Sequence, residues 1–211
     1  MKTLLRLSAL TLGLALASTV SYADTVSMTF NSVGGANNGT DYIYPYYFNI
    51  NGSSTLTSLM CVSYDNEVWQ GESWTATVAP ITTTSAVAAQ KDAYLFSLLG
   101  DSTYTTNDIQ EAIWELSAAN PSSVPTTSID PTLLSDAATA VSAADEGGSA
   151  TFDDGQYLLY TANAGSQNPS TDGTPQNYIG VSPVPEPGSI FLLATGLLGF
   201  AVFYRRRHLT I

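Results

Sequence analysis

The stretch Asn107–Ala119, NDIQEAIWELSAA, decides how the middle of the chain is read. Ile109, Ala112, Ile113 and Leu116 recur at i, i+3, i+4 and i+7, so one face of a helix is apolar. Asn120-Pro121 ends it, because a residue before proline is pushed out of helical geometry. The region upstream has a different period. Val26, Met28 and Phe30 alternate with polar residues, as do Tyr42, Tyr44, Tyr46, Phe48 and Ile50. Both patterns predict half-buried strands, with Pro45 marking an edge or a bulge in the second. Leu56 to Val62 and Trp74, Ala76 and Val78 predict a third and a fourth strand. Turns are expected at Gly34–Gly39 and at Asn51-Gly52.

Ala86 to Leu99 predicts a first helix, with Gly100 as its terminator. Asp130-Pro131 predicts the start of a third, with the stripe Leu134, Ala137, Ala138 and Val141 buried and Gly147-Gly148 at its end. Gln156 to Thr161 predicts a last strand. The expected class is α+β: N-terminal strands, a helical middle and a final strand. Ala162 to Pro183 holds Gly, Asn, Ser and Pro with few large apolar residues and reads as a flexible tether.

The two ends are of another kind. Lys2 and Arg6, the apolar run Leu7 to Val20, and the small residues Ser21 and Ala23 follow the order of a secretory signal peptide over residues 1–23, cut between Ala23 and Asp24. At the other end, Ser189 to Tyr204 is apolar and Arg205, Arg206 and Arg207 follow it. As a helix, 189–204 would be roughly 24 Å long at ~1.5 Å per residue. That is slightly under the ~30 Å of a bilayer core, but local thinning and snorkelling arginines would let it span. The positive-inside rule keeps the arginines cytoplasmic and the body outside. The expected domains are therefore 1–23, an acidic domain over 24–161, a linker over 162–183 and a C-terminal segment over 184–208.

Between the ends lie 18 acidic residues and the single base Lys91, a formal charge of −17 over Asp24–Pro187. Nothing there could neutralise phosphates, so nucleic acid is excluded as a partner. The only histidine, His208, lies beyond the arginines. Ser-His-Asp and Cys-His catalysis and histidine-bearing metal sites are thus absent from the body. Calcium at Asp145-Glu146 or Asp153-Asp154 competes with plain solvated surface charge, and neither pair fits an EF-hand loop. No cofactor, no metal and no enzymatic activity are expected. One cysteine, Cys61, rules out an internal disulfide and stands as a candidate reactive thiol.

Val184-Pro185-Glu186-Pro187-Gly188, an apolar segment and three arginines, in that order, resemble the PEP-CTERM sorting signal. The resemblance implies an exported protein of an exopolysaccharide-producing Gram-negative bacterium. It would be held in the inner membrane as a precursor, then processed near Pro185-Glu186-Pro187 by exosortase, a membrane protease. Signal peptidase and the general secretion machinery are the implied earlier partners. The final location would be the cell surface or the extracellular matrix.

Gln110-x-Ala112-Ile113-Trp114, downstream of the lone Cys61, resembles the thioester domains of bacterial adhesins. In that family a cysteine attacks a glutamine carboxamide, ammonia leaves, and the thioester acylates an amine or hydroxyl on another surface. The chain departs from the pattern at Ile109, where the family has Thr, and at Ser63, where it often has Asp or Asn. A helix N-terminus near the sulfur would favour the thiolate. Three plainer roles compete: Cys61 as a small buried apolar residue, Gln110 as the partner of Asn107 in a capping box, and Trp114 as core. Two functions follow. One is covalent adhesion through Cys61 and Gln110, and the other is a non-covalent structural component of an exopolysaccharide or biofilm matrix.

Overall fold

The computed structural model describes residues 24–35, 37–125, 131–145, 156–167 and 174–182. Both ends fall outside these, including the cut at Ala23, the expected transmembrane helix 189–204, and Pro185, Glu186, Pro187, Arg205, Arg206 and Arg207. Among the described residues no helix is long and apolar enough to cross a membrane.

The strands are β1 (Asp24–Val33), β2 (Tyr46–Ile50), β3 (Leu56–Cys61), β4 (Ser73–Pro80), β5 (Tyr157–Ala162) and β6 (Tyr178–Val181). They form a closed antiparallel barrel in the order β1-β2-β3-β6-β5-β4. This corrects the expected α+β class. The helices α1 (Val87–Ser97), α2 (Thr106–Ser117) and α3 (Pro131–Asp145) are an insertion between β4 and β5 of that barrel.

The strand that makes the difference is β6. It lies in the stretch expected to be a tether and has four residues, YIGV. Met60 and Cys61 of β3 pair with its Ile179 and Tyr178, and β5 pairs along its other side. Without β6 the other five strands would make an open sheet with β3 and β5 as bare edges. A run this short, between polar residues, carries too little alternation to be recognised. Gly180 lets it sit close to β3: a Cβ there would lie 2.4 Å from the Leu59 Cδ2.

The alternation of β1 and β4 is confirmed. Val26, Met28, Phe30, Trp74, Ala76 and Val78 point inward with Phe48, Leu59, Tyr160 and Tyr178. Phe48 packs on Tyr178 at 4.6 Å between ring centroids and on Trp74 at 5.8 Å, both edge-on, as aromatic quadrupoles prefer. In the tyrosine-rich run the alternation stops early. The strand begins at Tyr46, just after a cis Tyr44-Pro45 bond; Tyr42 is exposed, and Tyr44 packs edge-on against Phe96 of α1. Asn51 and Gly52 both have positive φ and Ser53 N–H bonds the Ile50 carbonyl, the turn expected there.

A second apolar cluster lies outside the barrel wall. Met60, Val62, Ile81 and Ile179 pack there against Ala93, Leu95 and Phe96 of α1, Ile109, Ala112 and Ile113 of α2, and Leu133, Ala137 and Val141 of α3. Ile109, Ala112 and Ile113 occupy the expected face of α2. In α3 the buried stripe is Leu133, Ala137, Val141 and Ala144, so Leu133 replaces the expected Leu134 and Ala138 is only half-buried. Gly100 adopts positive φ three residues beyond the last residue of α1.

Candidate functional site: a buried cysteine and glutamine at the barrel mouth

Helix α2 is capped by Thr105, whose hydroxyl accepts from Asp108 N–H while the Asp108 carboxylate accepts from Thr105 N–H. This capping box uses Thr105 and Asp108, not Asn107 and Gln110. The glutamine is thereby left free of the helix end. Gln110 and Trp114 are four residues apart and so share a side of the helix. Trp114 belongs to the barrel's inner cluster, together with Val124 from the 3-10 turn Pro121–Ser123 and its exit. The cap of the barrel is therefore α2 and the turn that follows it. Tyr64 packs on Trp114 in a tilted arrangement, 5.4 Å between ring centroids, and its hydroxyl donates to the Ser123 carbonyl.

Cys61 is the last residue of β3, and its side chain points into the barrel while Met60 points out. The thiol is fully buried and donates to the Ser63 carbonyl at 3.3 Å. Gln110 is also fully buried, and its Nε2 donates to the Cys61 carbonyl at 2.7 Å. The two candidates are thus neighbours, separated by 49 positions in sequence and joined by a direct bond. Among the described residues the Gln110 Oε1 has no hydrogen-bond partner. Such an acceptor in a dry interior costs roughly 1–3 kcal/mol, so its position needs a cause.

The electrostatics correct one expectation. Burial pushes the Cys61 thiol up to about 12, and the charges of Asp41 and Asp92 push the same way. The Trp114 indole N–H pulls it down, although it forms no hydrogen bond of normal geometry. The resting group is a neutral thiol, not a thiolate activated by a helix terminus. Tyr46 and Tyr178, which share the inner cluster, are raised as well, first by burial and then by Cys61.

Two more acidic residues belong to this region, and sequence reasoning passed over both. Asp92 of α1 is buried with its Oδ1 unpartnered among the described residues, and burial pushes its carboxyl up to about 8. Its spacing from Ala89 and Phe96 places it on the apolar face of α1, a signal that could have found it. Glu111 is fully buried, and Asn38 and Asn107 donate to its Oε1 at 3.1 and 2.9 Å, which ties the β1–β2 loop to α2. Among the described residues no group of three or more His, Cys, Asp or Glu is placed to hold a metal ion. Of the two calcium candidates, Asp145 is the last residue of α3, and Glu146, Asp153 and Asp154 lie outside the described residues.

One comparison with known proteins decides the C-terminal reading. Residues 183–207 match the PEP-CTERM protein-sorting motif. The PEP-CTERM segment directs export through the membrane to the cell surface, with processing by exosortase, a membrane protein. It begins immediately after the last described residue, Ser182, itself one residue beyond β6. The barrel therefore ends where the PEP-CTERM signal starts. No curated protein and no solved structure matches the chain, so the resemblance to thioester domains has no support from that side.

Proposed function

We propose that the exported domain is a covalent adhesin in which Cys61 and Gln110 form an internal thioester. The observation that carries this reading is the 2.7 Å bond from the Gln110 carboxamide to the Cys61 backbone inside a closed, dry barrel mouth. Holding the two groups together converts a bimolecular attack into an intramolecular one. The sulfur bonds to the carboxamide carbon, the carbon–nitrogen bond breaks, and the thiol proton leaves with the nitrogen as ammonia. A surface amine or hydroxyl then takes the acyl group and returns the proton to sulfur. Excluding water protects the thioester from hydrolysis until a target arrives. Export to the cell surface, signalled by the C-terminal motif, would bring the domain to such targets.

The intact mass of the purified chain tests it. The wild type should be lighter than its sequence by one ammonia, and C61A and Q110A should each have full mass. A wild type of full mass with a titratable thiol once unfolded would sink the reading.

A second reading has one observation in its favour. The neutral thiol, pushed up to about 12, is what a cysteine used only for packing would show. The domain would then be a non-covalent component of an exopolysaccharide matrix, and the wild type would keep its full mass.

A further inference from the structure

The helices cover only part of the outer wall of the barrel. Along β3, Leu59 and Cys61 point inward and Met60 outward, so Leu56 and Ser58 face outward too. Along β6, Tyr178 points inward and Ile179 outward, so Val181 faces outward as well. The helices pack on Met60, Val62, Ile81 and Ile179. They leave Leu56 41% and Val181 56% exposed. The Met60–Ile179 register, carried two residues further, sets Val181 across from Ser58 and on one diagonal with Leu56. The close approach of Gly180 agrees with this, since a Cβ there would lie 2.4 Å from the Leu59 Cδ2 and 3.5 Å from the Ser58 carbonyl oxygen. The adjoining β2–β3 turn, residues 51–55, carries no charge. These residues form the base of the barrel, at the opposite end of β3 from Cys61 and the mouth.

The chain itself limits what meets this base. Pro185 lies four residues beyond Val181, so even a fully extended chain spans at most about 14 Å between them. Exosortase has to bind the sorting motif to process the chain. A folded barrel cannot follow the motif into an active-site cleft, and so short a reach holds the base against the rim of the enzyme. Two bare apolar side chains stand on the outer wall where that contact falls. We infer that the base of the barrel, around Leu56 and Val181, is the surface that docks on exosortase. Docking removes both side chains from water against an apolar rim of the membrane enzyme. It also makes entry of the tethered motif an intramolecular step, which raises its effective concentration at the active site. In the docked chain the mouth, with Cys61 and Gln110, points away from the enzyme.

The test uses the full chain in cells that make exosortase. Processing is followed by pulse-chase, and melting is measured on the purified chain. The double variant L56E/V181E should melt like wild type, because both side chains already face water, and be processed at least fivefold more slowly. W69E is the control. Trp69 is 61% exposed but lies in the loop after β3, at the mouth, so W69E should be processed at the wild-type rate. A photo-crosslinking amino acid in place of Leu56 or Val181 should capture exosortase, and one in place of Trp69 should not. Wild-type processing of L56E/V181E overturns the proposal, and so does equal slowing by W69E. Crosslinks from Leu56 and Val181 to lipid alone also overturn it and assign the base to the membrane surface. Should L56E/V181E fail to fold, the crosslinking decides. None of these outcomes depends on whether the thioester forms.

Discussion

At the scale of single residues, Asp92 is the most perturbed group with a direct consequence for stability. Its carboxyl rises from 3.8 to about 8 through burial. Below pH 4 both folded and unfolded chains hold the proton and Asp92 contributes no pH dependence. Between about 4 and 8 the unfolded chain releases it while the folded chain keeps it, so stability falls as pH rises. Above 8 both are ionised and the loss levels off. At about 1.4 kcal/mol per pKa unit the loss amounts to several kcal/mol. D92N should remove this slope and melt higher than wild type at pH 8, with the two converging near pH 4; the same difference in unfolding free energy between D92N and wild type at both pH values would contradict it. Cys61 was legible as a candidate because it is the chain's single cysteine, and Gln110 because it opens the Gln-x-Ala-Ile-Trp motif. Asp92 was not, because one acid among 18 has no distinguishing mark until its surroundings are known.

At the scale of elements, the helices were legible and the last strand was not. A helix of three turns repeats its apolar spacing often enough to be recognised, and α2 did so at Ile109, Ala112 and Ile113. Its start was misread by one residue and its cap by two, which matters, because Asn107 as cap would have tied Gln110 to the helix end. Thr105→Ala should cost about 1 kcal/mol by removing the capping box, read from the denaturation midpoint. β6 is defined by its neighbours and not by its own pattern. Gly180→Ala should force the fully buried Leu59 aside and destabilise the barrel by roughly 1–3 kcal/mol. An unchanged midpoint would mean that β6 does not sit against β3 as described.

At the scale of the whole molecule, closure links the fold to the site. β6 pairs directly with Cys61 through Tyr178, and Tyr178 fills the barrel beside Phe48 and Trp74. Ending the chain after residue 173 removes β6 and exposes the edges of β3 and β5. The truncated chain should lose its cooperative melting transition and expose the Cys61 thiol to reagents. The sorting segment acts on a different level, since the motif begins at residue 183, just past the barrel. Glu186→Ala should leave full-length, cell-associated precursor while the barrel melts as in wild type. Release of that variant at the normal rate would remove Glu186 from the signal.

The sequence by itself determined the acidic character of the domain, its helices, four of its strands upstream of them, and the sorting signal. Each is a local property: charge adds along the chain, periodicity repeats within one element, and a sorting signal is read as a linear string. Only the tertiary structure decided that the sheet closes, that Gln110 reaches Cys61, and that Asp92 is buried on its helix. Those outcomes depend on contacts between residues far apart in sequence. A four-residue strand gains its stability from two partner strands, and a carboxyl's proton is retained because of what surrounds it.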